Sequence, residues 1–596
     1  MTCSSNMACR PDLRVCLVAA AVLAASPAAL AAPGRDLVSE AEAALDHGDG
    51  AAAELAANRA FEAGIPSARV AAIAGEAELL QGNLSAARKW LEPEDFSPAT
   101  QERGLRALAR LEIEEGDFNA ASRAYDRALA DGQGSAALWV DVGRFRYRTG
   151  QHHLALEAAR TALEADGQYP RALEFRGQLV RDSVGPVAAL PWFEKGLEQA
   201  PDDLSLLGEY AATLAEAGRN ADMLRVARRM VDIDPRHPRA YLLQAVLAAR
   251  AGHAGLARRL IDRTNGAYAN TPAAQLLSAI IELRNGSAKL AAEQLETLTR
   301  AQPDNGNAAM LLGRALLASG DAEGVVARLG PAAERADASP YLLALVGRAY
   351  EQMGLRSGAA RYLDRAAGPR PALMAVLPVT TGSPTGPEAQ SAVRLLRQML
   401  TQGRRAEAIA TANRVRQEYA GSADVEVLGG DVALLAGTPG AALAVYSRAA
   451  EVRRDFSLVE RMVAAQRMLG REQDAKRLLG EYLIHNPRSV PAATLLGRIE
   501  AQEGNLPVAV ALLSFSNNFS GRQDPLLLAD LAEVGARRGD VVLETAQRAY
   551  TLQRNNPRIT AVLANLFDGD GASQAEANAL LAKVQRSAGA AQLAQR

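Results

Sequence analysis

Residues 136–169 read AALWVDVGRFRYRTGQHHLALEAARTALEADGQY. Three positions decide the fold: Gly143 is the eighth residue of the stretch, Gly150 the fifteenth and Ala155 the twentieth. Counting in steps of 34 from Gly34 gives ten frames, starting at 34, 68, 102, 136, 170, 204, 238, 272, 306 and 340, with no insertion or deletion. The eighth residue is glycine or alanine in all ten. The fifteenth is glycine in nine, with Val184 the exception, and glycine is only 49 of the 596 residues, so chance does not produce the pattern. The twentieth is alanine in eight, with Met223 and Val325 as exceptions, and the thirty-second is proline at Pro201, Pro235 and Pro303. Small residues at eight and twenty let two helices approach closely. Glycine at fifteen supplies the turn between them, and proline ends the second helix. The unit is a helical hairpin.

The period and its pattern strongly resemble the tetratricopeptide repeat, whose first helix carries Trp, Leu, Gly and Tyr and whose second carries Ala, Phe, Ala and Pro. Leu138-Trp139-Val140-Asp141-Val142-Gly143 has the Trp and Gly at the family's spacing, and Ala189, Phe193 and Pro201 carry the second-helix signature. Tyr125, Tyr241 and Tyr350 fall at large-residue positions. The resemblance implies an all-α, right-handed superhelical solenoid of about 15 tandem hairpins.

The frame breaks after residue 373, in a run of turn formers that contains Pro378, Gly382, Pro384, Gly386 and Pro387. A second array follows, with starts near 389, 423, 456, 490 and 525, turn glycines Gly403, Gly437, Gly470, Gly504 and Gly539, and packing alanines Ala408, Ala442, Ala475 and Ala509. Ala546 lies late in its frame and implies a small insertion. The expected organisation is a leader over 1–31, ten repeats over 32–373, a linker over 374–388, and about five repeats plus a capping hairpin over 389–596. The linker is expected to let the two arrays pivot and to be cut first by protease, between residues 378 and 387.

Arg10 and Arg14, the apolar run 15–25 and the small residues up to Pro33 follow the order of a secretory leader, cut after Ala31. Its apolar core is too short to span a membrane, and no other stretch is long enough. Cys3, Cys9 and Cys16 all lie in the leader, so the expected mature chain has no thiol for a disulfide, catalysis or a metal, which suits a periplasmic or secreted location. Lysine plus arginine number 66 against 68 acidic residues, which removes the whole-chain electrostatic case for nucleic acid. Aromatics at 4% and abundant alanine favour helices over strands.

Catalysis has little to work with. The six histidines are scattered, and no phosphate loop, nucleophile elbow or dinucleotide signature occurs. No enzyme activity, metal or cofactor is expected. The adjacent His152 and His153 point to different sides of a helix and are expected at the surface near a turn. Asp568, Gly569, Asp570 and Gly571 miss the spacing of a calcium loop and read as an interhelical turn.

Arginine supplies 61 of the 66 basic residues. Positions 4, 7, 8 and 11 of each first helix face its partner, so positions 2, 5, 9, 12 and 13 face away. By the resemblance, that opposite side lines a concave groove that receives ligands. It places Arg103, Arg106, Arg110, Arg144, Tyr147, Arg148, Arg171 and Arg181 there, continued more thinly by Arg239, Arg250, Arg284, Arg314 and Arg348. Guanidinium forks suit carboxylates or phosphates, so an acidic partner is expected, against a reading in which Glu114 and Glu174 on the same face neutralise the stripe. The asparagines of the family's carboxylate clamp are missing from these repeats, so chaperone-tail binding does not carry over. The resulting expectation is a non-catalytic periplasmic scaffold that docks a protein or extended peptide, in envelope assembly or exopolysaccharide synthesis and export. The rival is a direct binder of an acidic polysaccharide.

Overall fold

A computed structural model describes residues 33–46, 48–130, 134–302, 305–334, 338–367, 387–519, 524–554, 556–568 and 574–594. Among them run thirty-two α-helices and no strand, an all-α repeat solenoid. The leader with its three cysteines, Pro303, residues 374–386 of the linker and the Gly569–Gly571 turn lie outside the described residues.

The chain falls into two compact units, the second beginning at Gly134. The first holds three hairpins: Pro33–Asp46 with Gly50–Glu62, Ser67–Leu80 with Leu84–Leu91, and Gln101–Glu115 with Phe118–Ala128. Alanines dominate its core, where Ala41, Ala53, Ala57 and Ala77 pack with Ile73. The second unit holds the remaining frames of the first array and all of the later repeats.

The periodic positions do what their residue types require. Each turn glycine takes a positive φ that other residues adopt only with strain, from 72° at Gly470 to 95° at Gly539. Where Val184 occupies that place the turn moves by one residue, and Gly185 takes φ 137° in its stead. The eighth residue lies under the twenty-fourth of its own frame. A Cβ added at Gly75, Gly313 or Gly347 would lie 2.5 Å from Leu91, Leu329 or Leu363 respectively, so no larger side chain fits. The twentieth-position alanines are fully buried, from Ala53 to Ala509.

The insertion expected before Ala546 is present. Gly504 is followed by a helix at Leu506, whereas Gly539 is followed by one only at Leu543, which is two residues later. Pro557–Asp568 and Gln574–Ala594 form the capping hairpin.

The free pivot between arrays does not match the contacts in the second unit. Its later repeats touch its earlier ones through successive loops, taken in the same order along the chain. The His153 N–H donates to the Gly421 carbonyl (3.3 Å), and the Ala423 N–H donates to His152 Nδ1 (3.0 Å). One repeat on, the Arg454 N–H donates to the Asp182 carbonyl at 2.8 Å. One repeat further, Asn486 Nδ2 donates to the Val184 carbonyl (3.3 Å), and an Arg488 Nη donates to the Ala215 carbonyl (3.4 Å) and to Asn220 Oδ1 (3.3 Å). Tyr147 and Leu156 pack on the apolar core that Tyr446, Val452 and Tyr482 build in the later repeats. Loops between later repeats therefore seat on helix ends of earlier ones, and hydrogen bonds of about 1 kcal/mol each hold three repeats in register.

Candidate functional site

The predicted groove residues stand half-exposed on first helices, as their positions in the repeat require, but carboxylates hold most of them. Three acidic residues act as hubs, each taking two arginines. In the first unit Glu76 receives Arg103 at 2.7 Å and Arg110 at 3.0 Å, with Glu42 3.8 Å from Arg103. In the second unit Glu174 receives Arg171 at 2.9 Å and Arg144 at 3.5 Å, and Asp203 adds a further pair with Arg171 at 3.1 Å. Glu209 receives Arg239 at 2.6 Å and Arg181 at 3.0 Å. Glu114 forms no ion pair among the described residues, whereas Glu76, which stands at the ninth position on the face that counting assigns to the groove, and Glu209, at the sixth position, which counting passes over, carry the neutralisation with Glu174.

The electrostatics follow. Burial pushes the Glu76 carboxyl upward, but Arg110, Arg103 and Arg106 outweigh it and hold the group below its usual range. Glu209 is likewise raised by burial and brought below its usual range by Arg239 and Arg181. These are intrachain bridges between neighbouring repeats, with modest individual worth because the arginines keep water contact.

Tyr147 is not a free aromatic contact in the groove. Its hydroxyl donates to Asp182 Oδ2 at 2.7 Å, and its ring meets the His152 imidazole edge-on at 5.1 Å. Burial first, then Asp182, raises the phenol well above its ordinary range. His152, expected at the surface, is instead buried, because the later repeats cover that turn. Its partner lies 271 residues away, beyond any local pattern.

The sequence profile of the tetratricopeptide repeat matches residues 38–94, 106–170, 143–203 and 276–324, on the same helical hairpins that stack here. The chain carries tetratricopeptide repeats. Two solved structures are similar to this chain. One is the APC/C heterotetramer Cut9–Hcn1, with 15% identity over 85% of this chain and 97% of that one and a TM-score of 0.33. The other is a tetratricopeptide repeat protein from Parabacteroides merdae, with 16% identity over 44% of this chain and 91% of that one and a TM-score of 0.24. No curated protein matches the chain. Among the described residues no cluster of His, Cys, Asp or Glu is arranged to hold a metal ion, and no helix is long and apolar enough to cross a membrane.

Docking of the later repeats depends on a neutral His152, because Nδ1 accepts the Ala423 N–H and a protonated ring has no acceptor to offer. Burial lowers its pKa. Asp424 pulls the other way, and the charges of Arg453 and His153 add to the lowering. The sign follows from linkage. The undocked imidazole keeps its ordinary value near 6.5 and binds the proton more tightly, so docking is complete above that pH and weakens as pH falls below it. Amide exchange over residues 421–424, corrected for intrinsic rate, should quicken between pH 7.5 and 5.5, and His152→Leu should remove the dependence. Flat protection across that range in the native chain would count against the account.

Proposed function

We propose that this protein is an exported scaffold of a cell envelope, with its repeats docking a protein or extended peptide for envelope assembly or exopolysaccharide synthesis and export. Tetratricopeptide repeats are protein-interaction modules, and stacked hairpins offer an extended surface on which a partner docks. The leader-like N-terminus supports a periplasmic location.

One observation carries the choice of surface. The arginine stripe at 103–181 is largely matched by Glu76, Glu174 and Glu209, so an acidic partner there has to compete with existing ion pairs. Arg314 and Arg348 hold the same ninth position in consecutive repeats and form no ion pair among the described residues, and both bear on the Tyr341 hydroxyl. Tyr341 is 43% exposed, and the acid facing this group is Asp524, whose Oδ1 is committed to capping the helix Pro525–Arg538. Two unmatched guanidiniums beside an open aromatic face suit an acidic segment with an apolar neighbour.

The test is crosslinking capture from envelope fractions by the native chain and by Arg314→Glu/Arg348→Glu. Changing Arg103 or Arg110 to Glu is less informative, because it sets a second carboxylate against Glu76. A defined protein captured by the native chain and lost by the variant is the expected result. Identical capture would remove this surface from consideration. Binding of an acidic polysaccharide such as alginate, abolished by the variant and by salt with no protein captured, would establish the glycan reading instead.

A further inference from the structure

Where the arginines of the stripe meet carboxylates, Arg250 and Arg488 do not. Neither forms an ion pair among the described residues, and both converge on one neutral acceptor. Arg250, on the helix Pro238–Arg250, donates to the Ala215 carbonyl at 3.3 Å, and Arg488, from a loop of the later repeats, donates to the same oxygen at 3.4 Å. That oxygen belongs to the last turn of the helix Leu204–Glu216, where the helix dipole welcomes positive charge. One carbonyl does not neutralise two cations. Burial and then the nearby Arg488 charge lower the pKa of Arg250, with Glu216 acting in the opposite sense.

The two guanidiniums open into a cleft of about 380 Å³, lined on one side by Pro186, Ala215, Glu216 and Arg250 and on the other by Tyr482, Asn486, Arg488 and Ser489. Arg488 is held in place as well as charged. Its guanidinium sits 5.3 Å from the centre of the Phe519 ring and spends a further hydrogen bond on Asn220 at 3.3 Å. Asn486 is committed to the Val184 and Tyr482 carbonyls, at 3.3 and 3.0 Å, and so shapes the wall. Glu216 is the acid in the cleft. Burial raises its carboxyl above the ordinary range, against the charges of Arg181 and Arg250.

We propose that this cleft binds a small oxyanion of the phosphate or carboxylate type between Arg250 and Arg488, and that the anion fastens the later repeats to the earlier ones. Two guanidiniums that converge on one carbonyl and line one cleft each offer N–H donors suited to such an anion, whose charge removes the repulsion between them. Because one arginine comes from residue 250 and the other from residue 488, binding and docking are linked. Whatever the anion gains from having both arginines in place, docking gains equally.

The experiment is calorimetric titration of the full chain with inorganic phosphate, and separately with malonate, at constant ionic strength. One site per chain is expected for at least one of the two. Arg250→Gln should weaken it by about tenfold or more, the loss expected for one charge-assisted interaction. Among the described residues Arg250 makes no hydrogen bond to the later repeats, so this variant leaves the junction's own bonds in place, and an unchanged helical signal confirms that it folds. Arg488→Lys, which keeps the charge but loses the fork, should fall between the native chain and Arg250→Gln. As a second readout, the bound anion should slow exchange of the Arg454 amide in the native chain and leave it unchanged in Arg250→Gln. Absence of binding by both anions, equal binding by native and variant chains, or binding without effect on the Arg454 amide would each overturn the proposal.

Discussion

Replacing Asp431 by alanine is expected to destabilise the repeats around it by about 3–5 kcal/mol, the cost of leaving a buried charge without its partner. Asp431 lies on the helix Ala423–Leu435 with no solvent exposure. Its Oδ1 accepts the Tyr446 hydroxyl at 2.6 Å and lies 3.0 Å from Arg461 Nε, on the first helix of the next repeat. Removing the carboxylate takes the acid from a guanidinium with only 12% side-chain exposure, which keeps its hydrogen bond to Ser457, and leaves the Tyr446 hydroxyl without that acceptor in a packed core. Hydrogen exchange over the helices Ala423–Leu435 and Phe456–Met468 measures the loss locally, which matters because a long repeat array need not unfold as one unit. Asp431→Leu combined with Arg461→Met should cost far less than Asp431→Ala alone, since it removes both charges together. Equal costs would show that the ion pair is not the source of the effect. The same group gives a pH signature. Burial pushes the Asp431 carboxyl up to about 7, against Arg461, Tyr446 and Arg397. The folded state therefore holds the proton more tightly than the unfolded chain, so this contribution is full below about pH 4 and is lost as pH rises through about 7. Asp431→Asn should lack that slope.

Asp431 also shows where sequence reading stops. Its neighbour Gly430 is the eighth residue of the frame starting at 423, and a Cβ there would strike the Tyr446 ring, so a period of 34 reaches the steric half of the arrangement. The charge half depends on Arg461 in the next repeat, at a position where the period sets no residue type. The groove behaves in the same way. Counting along the helix places Arg103, Arg144, Arg171 and Arg181 each on the exposed face of its own first helix, because facing is a local property of helical spacing. Whether those arginines are open depends on which acids in adjacent repeats reach them: Glu76 stands at the ninth position, on the counted face, but its pairing with Arg103 and Arg110 depends on the next repeat, and Glu209, at the sixth, lies off the counted positions altogether. The contact between His152 and Ala423 lies further out still. It follows from how the later repeats are carried back onto the earlier ones, which sums small rotations over many hairpins, and no pair of residues encodes it. Turns, small-residue contacts, the two-residue insertion before Leu543 and the capping hairpin were all legible because each is settled within one hairpin.

That division predicts the size and reach of a core mutation. Phe193→Ala should cost about 3–5 kcal/mol, the range for emptying a fully buried aromatic site. Phe193 is the twenty-fourth residue of its frame and covers Gly177, the eighth, where an added Cβ would lie 2.9 Å from the ring. Gly177→Ala alone forces the ring to move and should cost about 1–3 kcal/mol, offset in part by about 1 kcal/mol of helix propensity. In the double variant the alanine methyl occupies space that the ring has left. The combined cost should therefore fall short of the sum by about 0.5 kcal/mol or more, a coupling that sites without contact do not show. Exchange protection of the helices Pro170–Ser183 and Pro186–Gln199 reports the local loss. Because each hairpin is stabilised by its neighbours, Leu206, which packs in the same cluster, carries the disturbance into the helix Leu204–Glu216 next. Strictly additive costs would mean that positions eight and twenty-four do not share one space, and the steric basis of the 34-residue pattern would have to be sought elsewhere. A sub-additive result confined to these three helices is what a chain of hairpins, each packed on the next, requires.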